Sequence, residues 1–94
     1  MIEFDTATEL DELLEEAIET VKTYQLILYN DDVNTFEFVI ECLMAYCDHT
    51  IEQAEQCTLL VHYKGKCSVK VGSFEELKPI CESFLEQGLS AKIE

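Results

Sequence analysis

Tyr24–Glu37, YQLILYNDDVNTFE, changes character twice within fourteen residues. Tyr24 to Tyr29 is a run of strand formers, with Leu26 and Leu28 on one face and Gln25, Ile27 and Tyr29 on the other. Asn30, Asp31, Asp32 and Asn34 then interrupt the run with amide and carboxylate oxygens, and an apolar helical pattern opens at Phe36. A strand that passes into a helix through acceptor-rich side chains makes a small pocket suited to a positive charge. The competing reading is that these residues only shape a turn and cap the helix. Capping requires one or two such side chains and four fall within five positions here, so on the residues alone both readings stand.

Downstream, Phe36, Val39, Ile40, Leu43, Met44 and Cys47 recur at spacings of three and four, one face of a helix. Asp48, His49 and Thr50 break the pattern, with His49 expected in solvent. Thr50 and Gln53 form a capping box for a second helix, which runs through Ala54, Cys57, Thr58 and Val61 and stops near Tyr63 because Gly65 follows. Lys66 to Val71 alternates, with Cys67, Val69 and Val71 on one side, and reads as a half-exposed strand. Ser73 caps a third helix that turns Leu77, Ile80, Cys81, Phe84 and Leu85 inward; Pro79 disfavours that helix unless it lies in the first turn or kinks it. Gly88 ends it, and Leu89 to Ile93 makes a last strand. The order strand, two helices, strand, helix, strand predicts an α+β domain with its helices on one face of a small sheet.

Before this core, residues 1–23 carry eight acids and one lysine, with Leu10, Leu13, Leu14, Ala17, Ile18 and Val21 at helical spacing. The expectation is an acidic arm at 1–23, partly helical, with a helix over about 7–21, or flexible, ahead of one domain at 24–94. The whole chain has 94 residues, 48% of them hydrophobic, and a net charge of −14. That field repels phosphate backbones and anionic lipid heads, which argues against nucleic-acid and membrane partners and for cationic ones. No apolar run is long enough to span a bilayer, and no secretory pattern follows Met1, so a cytoplasmic protein is expected. Cys42, Cys47, Cys57, Cys67 and Cys81 show no Cys-x-x-Cys spacing and read as reduced, core-packing thiols.

Asn30, Asp32, Asn34 and Glu41 fall at positions one, three, five and twelve of a calcium loop, but Thr35 occupies the sixth, where the loop needs glycine. The EF-hand is rejected, and no metal or other cofactor is expected. His62, near the end of the second helix, taken alone reads as a residue favoured there by the helix dipole. No nucleophile motif, phosphate-binding glycine loop or His-Glu-x-x-His is present, so nothing points to an enzyme.

The segments LYNDDVNTFEFVIECL and QAEQCTLLVHYKGK resemble the ClpS adaptor family over about Tyr24 to Glu94. Asn-Asp-Asp before one helix and Val-His-Tyr-x-Gly-Lys at the end of the next form a specific pair at this separation. The resemblance implies a three-stranded antiparallel sheet with three helices on one face, as in the ribosomal-stalk C-terminal domain. It also implies an adaptor that selects proteins beginning with Leu, Phe, Tyr or Trp for a Clp AAA+ ATPase of ClpA or ClpC type. By resemblance, Asn30, Asp32 and His62 hold the substrate's α-amino group, while Asp31 and Asn34 contact the first peptide units. Leu28, Val39, Thr58, Val61 and Leu89 line a side-chain pocket with Phe36 at its mouth, and Lys66, Glu75, Glu76 and Lys78 are candidates to meet the ATPase N-terminal domain. Val33-Asn34-Thr35 replaces the family's common aromatic-Thr-Pro, Thr58 replaces a usual methionine, and the turn at Gly72 is shorter. The alternative is a non-catalytic interaction domain of the stalk type that binds no N-terminal residue.

Overall fold

The computed structural model describes residues 10, 12–14 and 22–94. Leu10 and residues 12–14 are helical, with Leu10, Leu13 and Leu14 exposed. The remainder of the helix expected over 7–21 lies outside the described residues.

Strand β1 (Tyr24–Tyr29) is the centre of a three-stranded sheet ordered β2-β1-β3, antiparallel to both β2 (Lys66–Gly72) and β3 (Ser90–Ile93). Helices α1 (Phe36–Cys47) and α2 (Ile51–Lys64) connect β1 to β2, and α3 (Phe74–Glu86) connects β2 to β3. This is the expected α+β arrangement. Each helix starts on a hydroxyl side chain that accepts from the backbone N–H three residues on: Thr35 from Phe38 at 3.1 Å, Thr50 from Gln53 at 3.2 Å, Ser73 from Glu76 at 3.1 Å. Gln53 completes the capping box by accepting from Thr50 N–H at 2.9 Å. Pro79 lies in the second turn of α3, which continues through it to Glu86. Ser83 Oγ donates to the Pro79 carbonyl at 3.0 Å.

The core gathers Leu26 and Leu28 of β1, Val39, Cys42 and Leu43 of α1, Ala54 and Val61 of α2, and Leu77 and Phe84 of α3. All five cysteines are free thiols; Cys42, Cys47 and Cys81 are buried and pack as small hydrophobes. Burial pushes the Cys47 thiol up to about 11. Burial and the neighbouring Cys67 thiol push Cys57 up to about 12.

Three expectations are corrected. Val71 does not share a face with Cys67 and Val69, because the β1–β2 register steps from Leu26↔Lys70 to Ile27↔Ser68 and leaves Val69 as an extra residue. The bulge turns Val71 opposite Gln25 on the uncovered sheet face, 59% exposed. Second, Phe36, Met44 and Leu85 stand at the ends or edge of their stripes beyond the reach of a small sheet, and all three are exposed. Third, His49 is not solvated: it is half-buried and its Nε2 donates to the carbonyl of the bulged Val69 at 2.7 Å. Its Nδ1 is buried with no partner among the described residues. His49→Ala therefore removes the bond that ties the α1–α2 turn to β2, and we expect a loss of about 1–3 kcal/mol in a denaturant titration.

Candidate functional site

Three local structures built from short sequence signals meet at one end of β1. The first is the junction after Tyr29. Asp31 folds it into a turn, its carboxylate accepting from Val33 N–H at 2.9 Å and Asn34 N–H at 2.8 Å. Asn34 Nδ2 donates to both Asp31 oxygens at 3.1 Å. Burial pushes the Asp31 carboxyl up, but the Asn34 and Val33 hydrogen bonds outweigh it and hold it below its ordinary value. Thr35 alone caps α1. The turn and the cap thus account for Asp31, Asn34 and Thr35, whereas the hydrogen bonds among the described residues leave the exposed side chains of Asn30 and Asp32 unused.

The second is the end of α2. Thr58, Val61 and His62 fall at i, i+3 and i+4 and so share a helix face. Gly65, in the left-handed region at φ 89°, stops the helix, and its carbonyl accepts Asn30 N–H at 2.9 Å. That bond sets His62 across from the junction. The His62 ring lies edge-on to Phe36 with centroids 5.1 Å apart. Thr58 is 3% exposed, and its hydroxyl is satisfied within the helix by donating to the Ala54 carbonyl at 2.7 Å.

The third is the stop of α3. Gly88, at φ 85°, lets Leu89 N–H reach back to the Phe84 carbonyl at 2.9 Å while Gly88 N–H reaches Leu85 at 3.0 Å. This double bond pattern folds Leu89 inward.

Between these structures lies a pocket of about 250 Å³. Leu28, Val39, Thr58, Val61 and Leu89 line it as expected, together with Phe36. Asn30, Asp31, Asp32, Asn34 and His62 also line it. All eleven residues expected at the site therefore meet, and neither lysine nor arginine is among the lining residues. Tyr29 lines it too and was not anticipated, because strand alternation assigns its ring to the opposite sheet face. Its hydroxyl donates to Glu94 Oε2 at 2.7 Å, and that bond, more than burial, raises the phenol's pKa. The volume is below the roughly 300–1,000 Å³ of sites for drug-sized ligands and suits a smaller group.

The candidate partner residues are not brought together. Glu75, Glu76 and Lys78 are exposed near the start of α3, whereas Lys66 opens β2 at the other end of that seven-residue strand. An extended strand of that length spans about 20 Å. Among the described residues no helix is long and apolar enough to cross a membrane.

The family pattern described as ATP-dependent Clp protease adaptor protein ClpS matches residues 19–92, which contain β1, β2, all of β3 but Ile93, and every residue that lines the pocket. The chain belongs to the ClpS family. Among ClpS relatives, the ATP-dependent Clp protease adapter protein of Cronobacter sakazakii is 39% identical over 79 residues, covering 82% of this chain and 73% of the relative. That of Thermosynechococcus vestitus is 41% identical over 68 residues, covering 71% and 72%. The structure of Agrobacterium tumefaciens ClpS2 bound to L-phenylalaninamide superposes with a TM-score of 0.67 at 25% identity, covering 78% of this chain and 95% of that one. The ClpS fold is thus shared over the core, and the family is one of adaptors.

Proposed function

We propose that the pocket binds the free N-terminal residue of substrate proteins beginning with Leu, Phe, Tyr or Trp, and that the chain delivers them to a Clp AAA+ ATPase and its protease. The observation that carries this reading is the set of unused polar side chains, Asn30, Asp32 and His62, gathered at the rim of an apolar pocket. An α-ammonium has a pKa near 8 and up to three donors. An amide oxygen, a carboxylate and a neutral imidazole nitrogen can accept one each. Below it, Leu28, Val39, Thr58, Val61 and Leu89 take the first side chain. Charge-assisted bonds net about 1.5–3 kcal/mol each, and burying a Leu or Phe side chain adds about 1.5–3 kcal/mol. After the costs of association, micromolar or somewhat tighter affinity follows, weak enough for an adaptor to release its cargo. Asp31 shapes the loop beneath the first peptide units, and Asn34 Oδ1 offers them an acceptor. ClpS2 of Agrobacterium tumefaciens, with its bound L-phenylalaninamide, supports a free amine next to an aromatic side chain as the ligand chemistry.

On the partner side, a ClpA- or ClpC-type N-terminal domain would meet the charged start of α3 at Glu75, Glu76 and Lys78. Lys66 marks a second, separate contact.

A peptide array that varies only the first residue tests the reading. Retention of Leu, Phe, Tyr and Trp over Gly, Asp and Lys is expected, whereas indifference to the first residue would leave an interaction domain of the ribosomal-stalk kind. Phe36 should shape the ranking. It stands half out of the fold at the pocket, 41% exposed and edge-on to His62, and narrows the entrance. Leu is therefore preferred to Trp, and Phe36→Ala should raise Trp binding relative to Leu by about three- to fivefold in a competition titration, a change near 0.7–1 kcal/mol.

A further inference from the structure

We propose that Asn34 is a positioning residue that fixes the shape of the side-chain pocket by clasping the turn that carries Leu89. The inference rests on the peptide-binding reading of the pocket and extends it to what sets selectivity. An amide NH2 group has two hydrogens. One of Asn34's serves the Asp31 carboxylate, with Nδ2 at 3.1 Å from both oxygens, and the other serves the Gly88 carbonyl at 3.0 Å. A single side chain therefore joins the loop after β1 to the turn after α3, 54 residues further along the chain.

The clasp falls at a sensitive point. Gly88 is in the left-handed region, and the next residue, Leu89, is 3% exposed and forms one wall of the pocket. A wall presented by a short turn is placed only as well as the turn is held. On the other side, Asp31 is charged and held below its ordinary pKa by bonds from Asn34 and Val33, so the bond from Nδ2 is charge-assisted. The loop that carries the amine-binding Asn30 and Asp32 and the turn that carries Leu89 thus keep one spacing. The ammonium site and the side-chain wall are registered to each other through Asn34, so its loss should change which first residue fits, beyond the uniform loss that removing its Oδ1 contact brings to every peptide.

Two measurements on Asn34→Ala and on the isosteric Asn34→Asp, which lacks the donors, test this. Without ligand, amide hydrogen exchange at Leu89 should be at least tenfold faster than in the parent chain, while Leu26 and Leu28 in the central strand stay within threefold. With peptides, the ratio of Trp to Leu dissociation constants should move toward unity by at least fivefold. Unchanged exchange at Leu89 overturns the clasp. Faster exchange with an unchanged ratio, or an equal loss for every peptide as expected of a plain backbone contact, overturns the role in selectivity. A parent chain that holds none of these peptides sinks the proposed function and the selectivity role together; Leu89 exchange, read without ligand, separates that failure from failure of the clasp.

Discussion

Asp32→Ala should weaken binding of a Leu- or Phe-initiated peptide by at least tenfold, and His62→Ala should do the same, with the fold of both variants intact. Both side chains are exposed, and neither is engaged in a hydrogen bond among the described residues, so truncating either leaves no buried partner behind. Each removes one acceptor from a three-acceptor ammonium site, a loss of about 1.5–3 kcal/mol, or roughly ten- to 150-fold. The double variant should lose less than the product of the two, because the remaining acceptor and water share the ammonium. Calorimetric titration with an unmodified Leu-initiated decapeptide measures all three constants, and circular dichroism melts check the fold. Full binding by both single variants would remove the ammonium site.

Acetylating the peptide's N-terminus should reduce affinity by at least a hundredfold, the larger of the two effects. The modification removes the charge and two donors at once and leaves Asn30, Asp32 and His62 facing an amide that cannot satisfy them. The same chemistry sets a pH dependence. The α-amine binds as its protonated form and loses that proton near pH 8, so affinity should fall as pH rises through about 8 to 9, by close to tenfold per unit once the amine is mostly neutral. Asp31 does not limit the site over that range, since its carboxyl, held low by its turn, stays charged through neutrality. The contribution of that turn to stability is present above the ordinary carboxylate value and is lost only as pH falls through the lowered folded one. Fluorescence anisotropy with free and acetylated peptides, repeated between pH 6.5 and 9.5, reads both effects. Equal affinity of the two peptides would mean that the pocket recognises a side chain alone.

Much of this architecture is written in short stretches of chain. The Thr50–Gln53 box, the Ser73 cap, and Gly65 and Gly88 act within three or four residues of themselves, so the helix limits follow directly from them. The face of α2 that bears Thr58, Val61 and His62 follows from helical periodicity in the same way. The exceptions all depend on a distant element. Val71 faces outward because of a bulge that exists only in the pairing of β2 with β1, and His49 is drawn in by that same bulge's carbonyl. Leu85 and Met44 continue apolar stripes past the limit of the surface they pack on. Tyr29 reaches the pocket by standing at the end of its strand, a matter of location that alternation cannot express.

The sequence by itself determined the elements, their order, the acidic junction after Tyr29 and, through its likeness to ClpS, the residues around the pocket. Only the tertiary structure divided the junction's polar groups: Asp31, Asn34 and Thr35 hold the loop and start the helix, while the side chains of Asn30 and Asp32 are left exposed at the pocket with no hydrogen-bond partner among the described residues. The division depends on contacts at long range, Asn30 N–H to Gly65 and Asn34 to Gly88, and local propensity carries no information about partners 35 or 54 residues away.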